Sequence, residues 1–569
     1  MPSLQRKIKG GRPYWYVVEV ARVDGNPRVV RQRYLGTVEG IEAAFDAAYD
    51  PVSIEEVEFG ATAALWGLAG RIGVGMAVDA ACPKRAQGLT VGTYLQAAAV
   101  NRAVAPRSKR GFAAWSASTV LDRLVPAPTE AWSSQRFWDA MDRVDAERID
   151  AIEQAIVAQA VAEFSVGLEA LVLDATNFHT FIASGNDRNT VARRGHAKSK
   201  RHDLRLVGLA LACSTDHRIP LASTLVAGNV PDVRAFAAHL PKLVTRLEAV
   251  GVDPASITVV FDKGNNSAAN LGRVGEAGVG FVGSLVPAQH PDLLDVGDEA
   301  FAAVEGLEGV TAWRGRKEVF GALRTVVVTR SETFLGRQLV GLAQTRHRVE
   351  AQLRELERLV SGGRHRMDPE ALRGRVAEAL APRWMGQLFR TTVAGAGRLD
   401  LTFRWLFDDE AFERLRAREL GKRIIFTDRH GWSTRAIVEA YRSQWAVEAA
   451  FRQIKDPAHG AFRPIYHWTD QKIHVHGLYS VAALLLVNLA WREADQARLG
   501  LSPREVLEAL AAIREVTLVY PPARGKGNPR VLKKLTAMDD VQRSLFELFS
   551  LDQFAPRVGN TAKWRGFPS

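Results

Sequence analysis

The feature that most restricts how this chain folds is the run of short apolar segments between residues 168 and 285. LEALVLDAT, DLRLVGLALACS and IPLASTLVAGN read as three strands, the last two joined by a turn at Ser214 to Arg218. A helical stretch follows from Asp232 to about Val250. ITVVFDKG, a helix from Ser267 and GVGFVGSL then complete a βαβ pattern. A meander followed by βαβ units predicts an α/β chain with a mixed sheet and helices packed on it. Residues 287–420 interrupt the pattern with short strand-like runs (TAWRG, LRTVVVTR, RLDLTFRWLF) and a charged helical pair around Ser361-Gly362-Gly363, so they read as an insertion. The sheet pattern resumes with KRIIFTD, a long helix from about Ser433 to Asp456 and an apolar helix near 474–494.

Upstream, PYWYVVEVARVDGNPRVVRQRYLG reads as a β-hairpin about Asp24-Gly25-Asn26-Pro27. Residues 52–165 have helical periodicity. They include Asn101, Arg102, Arg107, Lys109 and Arg110 around Trp115, either a cluster that contacts a polyanion backbone or a solvated helix end over a core tryptophan. The tail after Pro521 is basic, with Arg524, Lys526, Arg530, Lys533 and Lys534. The expected division is therefore a β module at 1–50, a helical, DNA-binding region at 51–165, a catalytic domain at 166–286 and 421–495 around the insertion at 287–420, and a basic region at 496–569.

Charge narrows the partner. Lys plus Arg number 75 against 63 Asp plus Glu, a net +12 over 569 residues, which favours a polyanion, nucleic acid foremost. The excess of Arg over Lys, 59 to 16, suits bidentate phosphate contacts but equally follows from a GC-rich genome. Two cysteines, Cys82 and Cys213, exclude a disulfide framework and a four-thiolate zinc site and point to a reducing compartment. The most apolar run, Gly477 to Trp491, is short of the ~20 residues of a membrane span, and the N-terminus lacks an apolar leader. The expectation is a cytoplasmic protein without a membrane segment.

Three acids stand out. Asp174 follows the apolar run ALVL, and Asp262 follows TVVF, so each emerges where a buried strand ends. Taken singly, a strand-end Asp capping the next turn is the plainer reading. In an open sheet, however, adjacent strand ends face one crevice, and two carboxylates there suit a hard cation. The third acid lies in YRSQWAVEAAFRQIK. On a helical wheel at 100° per residue, Tyr441, Gln444, Arg452 and Lys455 fall within about 40° of Glu448, and Trp445 at about 60°. A solvated face with a Glu448–Arg452 pair explains the same stripe. Asp428, ending IIFTD, is an alternative third acid, although a turn role is commoner there. His459, His467, His474 and His476 match no zinc spacing and read as a mixture of surface and satisfied histidines.

At these residues the chain resembles the bacterial insertion-sequence DDE transposases of the group with a Tyr-x2-Arg-x3-Glu-x6-Lys signature, here Tyr441, Gln444, Glu448 and Lys455, with Gln in place of the Arg. LDATNF around Asp174, RGHAKSKRHDLRLVGLAL from 194, AGNVPD from 227 and FDKGNNSAAN around Asp262 resemble the group's motifs in the same order, and the likeness covers about 10–550. The resemblance implies a ribonuclease-H-like mixed sheet with a mostly β insertion. It implies Asp174, Asp262 and Glu448 as catalytic, metal-binding residues for two Mg2+ ions, with Mn2+ able to substitute. It further implies double-stranded DNA as partner, both terminal inverted repeats and target, and nicking that frees 3′-hydroxyls. Strand transfer by a homodimeric paired-end complex follows, in cut-and-paste transposition in the bacterial cytoplasm, on the nucleoid. In related members the second strand is cut through a hairpin intermediate. Tyr441, Gln444, Trp445, Arg452 and Lys455 are the expected DNA contacts, with Trp445 stacking a flipped base. The competing classes are a catalytically silent, domesticated DNA-binding repressor and a ribonuclease-H-fold nuclease or resolvase.

Overall fold

Three β-rich runs at the N-terminus, one more than the hairpin pattern marks, pair as an antiparallel sheet of β1 (Pro2–Lys9), β2 (Arg12–Val23) and β3 (Asn26–Gly36), in that order. Gly10 and Gly11 join the first two strands with φ of 56° and 78°, the left-handed turn that a two-residue hairpin requires. A fourth strand, β4 (Ser53–Glu58), lies inside the stretch that reads as helical. The computed structural model describes residues 2–556 except 24–25, 84–86, 184, 197–200, 364–366, 398, 461 and 523–527. Arg524 and Lys526 of the basic tail, and part of the RGHAKSKRHDLRLVGLAL block, lie outside the described residues. The chain divides into two units, Met1–Phe164 with Gln453–Ser569, and Ser165–Arg452.

The second unit is a mixed α/β layer built on a nine-stranded sheet. Along the chain come β5 (Ala170–His179), β6 (Leu206–Ser214), β7 (Pro220–Ala227), β8 (Thr258–Val260) and β9 (Gly280–Leu285). They are followed by β10 (Ala302–Ala303), β11 (Val310–Val319), β12 (Ala322–Ser331), a separate hairpin of β13 (Phe389–Ala394) and β14 (Thr402–Phe407), and β15 (Lys422–Thr427). The large sheet has the order β10-β11-β12-β15-β9-β8-β5-β6-β7, parallel only at β5/β8 and β8/β9. Its central strands are buried on both faces, which is why they read as continuous apolar runs. One face carries a row of rings: Phe236 on the Asp232–Ala249 helix, then Phe261, Phe281 and Phe426, with centroids 5.0, 5.7 and 5.0 Å apart. Gly283 permits that row, since a Cβ there would meet the Phe426 ring at 2.8 Å and the Phe261 ring at 3.1 Å.

The region 287–420 departs from a mostly β insertion. β10, β11 and β12 extend the central sheet through the β12/β15 pairing, and the remainder is largely helical, with a 30-residue helix at Glu332–Ser361, further helices at Pro369–Ala379 and Asp409–Arg418, and the β13/β14 hairpin. The reason is periodicity: Leu342, Val349, Leu353, Leu356 and Val360 share one face of the long helix and close a core with Phe389, Phe403 and Leu415.

In the first unit the apolar helix runs from Asp470 to Gln496. It is long and apolar enough to cross a membrane, and 94% of its most apolar window is buried inside the protein. The segment 496–569 is not set apart from the N-terminal half: β16 (Arg514–Tyr520) pairs with β4 on one side and with β17 (Arg530–Leu535) on the other. Of the four noted histidines, His467 and His476 are buried and 3.1 Å apart, Nε2 to Nδ1. His476 Nε2 donates to the Phe462 carbonyl at 2.7 Å, which leaves its Nδ1 as the acceptor facing the Tyr479 hydroxyl at 2.6 Å. Burial, then the positive charge of neighbours including Arg102 and Lys109, holds both imidazoles well below their ordinary value of 6.5. Unfolding therefore lets them bind protons at low pH, and they lower stability as pH falls below about 6.5. Glu58 works in the opposite sense: burial pushes its carboxyl up to about 7 from 4.5, so its contribution is lost as pH rises across that range. Comparing wild type with His476→Leu cancels the Glu58 part. On going from about pH 7 to pH 5 the variant's denaturant midpoint should fall less, or rise more, than the wild type's, and equal pH slopes would mean that the pair is not neutral in the folded state.

Candidate active site

The parallel ladder between β5 and β8 ends at Val172–Val260, although β5 continues to His179 paired with β6. Asp174 and Asp262 come two residues later on each strand, so the same register sets the carboxylates level, on one face, where the strands part. β9 shares the register, with Val260 opposite Val282, and brings Ser284 level with Asp262. The Ser284 hydroxyl donates to Asp262 Oδ1 at 3.2 Å. Alternation along β8 turns Phe261 to the row of rings and Asp262 to the opposite face.

Above that face the expected long helix is two helices, Thr434–Arg442 and Trp445–Lys455, separated by a turn at Ser443–Gln444. The Ser443 hydroxyl donates to the Ala440 carbonyl at 2.6 Å, and the Ala446 amide donates to the Ser443 carbonyl at 2.8 Å, closing the break with tight turns. A single helical wheel therefore does not apply across 441–455. The grouping nevertheless holds for part of the stripe: Tyr441, Gln444, Trp445 and Glu448 line one cavity of about 710 Å³ together with Asp262. Arg452, one turn past Glu448, is exposed and not part of that lining, and Lys455 ends the helix in the other unit.

Tyr441 differs from a DNA-facing phenol. It is only 5% exposed, and its hydroxyl is within hydrogen-bonding reach of Ser284 Oγ at 3.0 Å and Asp262 Oδ1 at 3.3 Å. Burial, reinforced by the Asp262 charge, pushes the phenol up to about 12, so it stays a neutral donor. Two hydroxyls thus hold one oxygen of Asp262. Ser284 was not legible as a site residue; the available signal is a hydroxyl interrupting the apolar strand GFVGSL.

Lys263, Arg337, Arg423 and Arg442 line the same cavity, and the Arg423 guanidinium sits 5.1 Å from the Tyr441 ring centre. Trp445, half exposed at 49%, has the Arg218 guanidinium 5.7 Å from its ring centre. Carboxylate and hydroxyl oxygens are the donors a hard divalent cation takes, so the chemistry of the set fits such an ion. Its arrangement is a pair plus one: Asp262 and Glu448 share the cavity, while Asp174, whose Oδ1 accepts from the Ala175 amide at 2.8 Å, is on the neighbouring strand. Among the described residues no three His, Cys, Asp or Glu are gathered closely enough to hold a metal ion together. Asp428 is engaged elsewhere, accepting from the Phe281 amide at 2.9 Å and lying 3.9 Å from Arg324.

Residues 166–381 match the family described as a transposase DDE domain. The match includes Asp174 and Asp262 and stops short of Glu448. No curated protein matches the chain. Among solved structures, the cryo-EM structure of a piggyBac transposase synaptic complex with hairpin DNA is similar over 79% of this chain and 78% of that one, at 8% identity and a TM-score of 0.36, a likeness too distant to bear on function.

Because Ser284 and Tyr441 act on the same carboxylate, they should be energetically coupled. Ser284→Ala and Tyr441→Phe should each cost about 0.5–1.5 kcal/mol. In a double-mutant cycle by denaturant unfolding, the pair should depart from additivity by about 0.5 kcal/mol or more. Strict additivity would mean that the two hydroxyls do not share Asp262.

Proposed function

We propose that the chain is a DDE transposase of the insertion-sequence type. In this reading the strand order β7-β6-β5-β8-β9 is a ribonuclease-H-like core carrying Asp174 and Asp262, and the Trp445–Lys455 helix supplies Glu448. The observation that carries the reading is the cavity itself: Asp262 and Glu448, far apart in sequence, face one space whose walls also bear Lys263, Arg337, Arg423 and Arg442. A bare anion site would not include four acids, and a bare cation site gains nothing from six basic residues in its walls. A polyanion bridged to carboxylates by cations needs both. The domain match over 166–381 supports the same class.

Asp174, Asp262 and Glu448, which are not gathered closely enough in this structure to hold one ion together, would have to close up to take two Mg2+ ions, and such ions would activate the attacking hydroxyl and stabilise the leaving oxygen of an in-line phosphoryl transfer. Ser284 and Tyr441 orient Asp262, and the buried Tyr441 keeps its proton while doing so. Lys263, Arg337 and Arg442 hold the phosphate backbone of double-stranded DNA. Gln444, Arg452 and Lys455 continue that contact along the helix, and Trp445 offers a half-exposed ring for a displaced base. The substrate is the terminal inverted repeat of the chain's own insertion sequence, cut to free 3′-hydroxyl ends and joined to target DNA by a paired homodimer in the bacterial cytoplasm.

The test is cleavage of DNA carrying the sequences that flank the gene, with Mg2+, followed by joining to a target plasmid. Asp174→Asn, Asp262→Asn and Glu448→Gln should each reduce cleavage by at least ~100-fold while leaving the thermal midpoint and DNA binding nearly unchanged, because only the metal-holding charge is removed. Near-wild-type cleavage by one variant removes that residue from the site. Cleavage without joining by wild type would favour a nuclease, and binding without cleavage a repressor.

A further inference from the structure

The N-terminal sheet has two unlike faces. The register places Ser3, Val18 and Gln32 in one cross-strand row and Gln5, Tyr16 and Tyr34 in the next. On this face Tyr16 and Val18 are buried, the Tyr16 and Tyr34 rings are 5.2 Å apart, and Lys7 donates to Gln32 at 3.2 Å. The other face carries Arg6 opposite Trp15, Arg33 opposite Val17 and Arg31 opposite Glu19, with Arg28 opposite Ala21 beyond an irregularity in the β2/β3 register. All four arginines are exposed, and none makes an ion pair among the described residues, although Glu19 is available beside Arg31.

We propose that this arginine face is a second DNA-contact surface, docking the sugar–phosphate backbone of duplex DNA outside the cavity that holds the acids. Four guanidiniums against one carboxylate on a sheet about 10 Å across make a compact cationic platform, and the guanidinium fork matches phosphate oxygens in pairs. Arg31 and Arg33, two residues apart on β3, are separated by about 6.8 Å, roughly two phosphate steps along a duplex axis. Trp15, set between β1 and β3, adds a flat surface beside Arg6. An anionic lipid surface is the weaker fit. Among the described residues the register puts Leu4 and Ile8, on the edge strand, on this face as apolar side chains exposed by more than half, and leaves Val30 unassigned at the irregularity, still too little area for insertion into a bilayer. The proposal rests on the transposase reading only in naming DNA as the polyanion.

The experiment uses the full chain with a duplex that carries no end sequence, so that cleavage plays no part. Arg28→Gln/Arg31→Gln/Arg33→Gln should bind that duplex at least ~10-fold more weakly, and the slope of log K against log salt should fall by about 2 to 3 as phosphate contacts are lost. The thermal midpoint should hold, since the three side chains are solvated, and Arg31→Lys/Arg33→Lys should recover most of the salt slope. Arg354→Gln, in the long helix of the other unit, serves as a surface control and should leave the slope unchanged. Wild-type affinity and slope in the triple variant would overturn the proposal while leaving the transposase reading intact, provided wild type still cuts end DNA. Loss of binding to phosphatidylserine vesicles with duplex binding unchanged would overturn it in favour of a membrane surface.

Discussion

The parallel register of β5, β8 and β9, and its early end on β8, is the constraint on which the candidate site depends. β8 contributes Thr258–Val260 to the ladder, and past that point β5 pairs with no strand on that side among the described residues. The gap is where Asp174 and Asp262 emerge, and the register that aligns Val172, Val260 and Val282 also aligns the two acids with Ser284. A slip of one residue in any of the three strands would exchange the acid face for the phenylalanine row, because side chains alternate strictly along a strand. The rings of Phe261, Phe281 and Phe426 protect against that slip: their burial is lost if the register moves.

The second support is the helix break. A continuous helix from Thr434 to Lys455 would keep one direction along the sheet, whereas the turn at Ser443–Gln444 separates a first helix, whose Tyr441 reaches down to Asp262, from a second that presents Trp445 and Glu448 to the cavity. The first is anchored by Ile437, Val438 and Tyr441, the second by Ala446, Val447, Ala450 and Ile454. Tyr441 serves packing and polarity together. Its ring lies under the Arg423 guanidinium and its hydroxyl completes the hold on Asp262, an arrangement that would cost free energy if the phenol were ionised.

The two units solve the burial problem differently. In one, a sheet is covered on both faces and widened by β10, β11 and β12, while the segment 332–420 builds its own core around a long helix and a hairpin. In the other, a helix with a long apolar middle is packed against shorter ones, and segments distant in sequence are tied by the β4/β16 pairing. Some polar groups in that interior satisfy one another, as in the His467–His476–Tyr479 chain, whereas Ser116 Oγ, Ser480 Oγ and the Trp115 and Trp132 indole nitrogens are buried with no hydrogen-bond partner among the described residues.

Read alone, the sequence determined the mixed α/β class, the strands β5 to β9, β11, β12, β14 and β15 and the helix at 232–249, because each is a short apolar or alternating run, or a pattern of period 3.6, bounded by turn residues. It also singled out Asp174 and Asp262, since charge at the end of an apolar run is visible without coordinates, and Glu448, from the polar stripe on its helix. What it could not contain is anything set by pairing over long separations. β4 and β16 are recognisable only through each other, the three strands at 302–331 join the main sheet only because β12 meets β15, and the mostly β character read for 287–420 gave way to a helix whose partners lie in a hairpin some fifty residues on. Tyr441 carried the same limit: its spacing to Glu448 is local, but its burial against Asp262 and Ser284 arises from strands that the helix meets only in three dimensions. Local periodicity fixes which face of an element is apolar; which polar atom that face then meets is decided by tertiary packing alone.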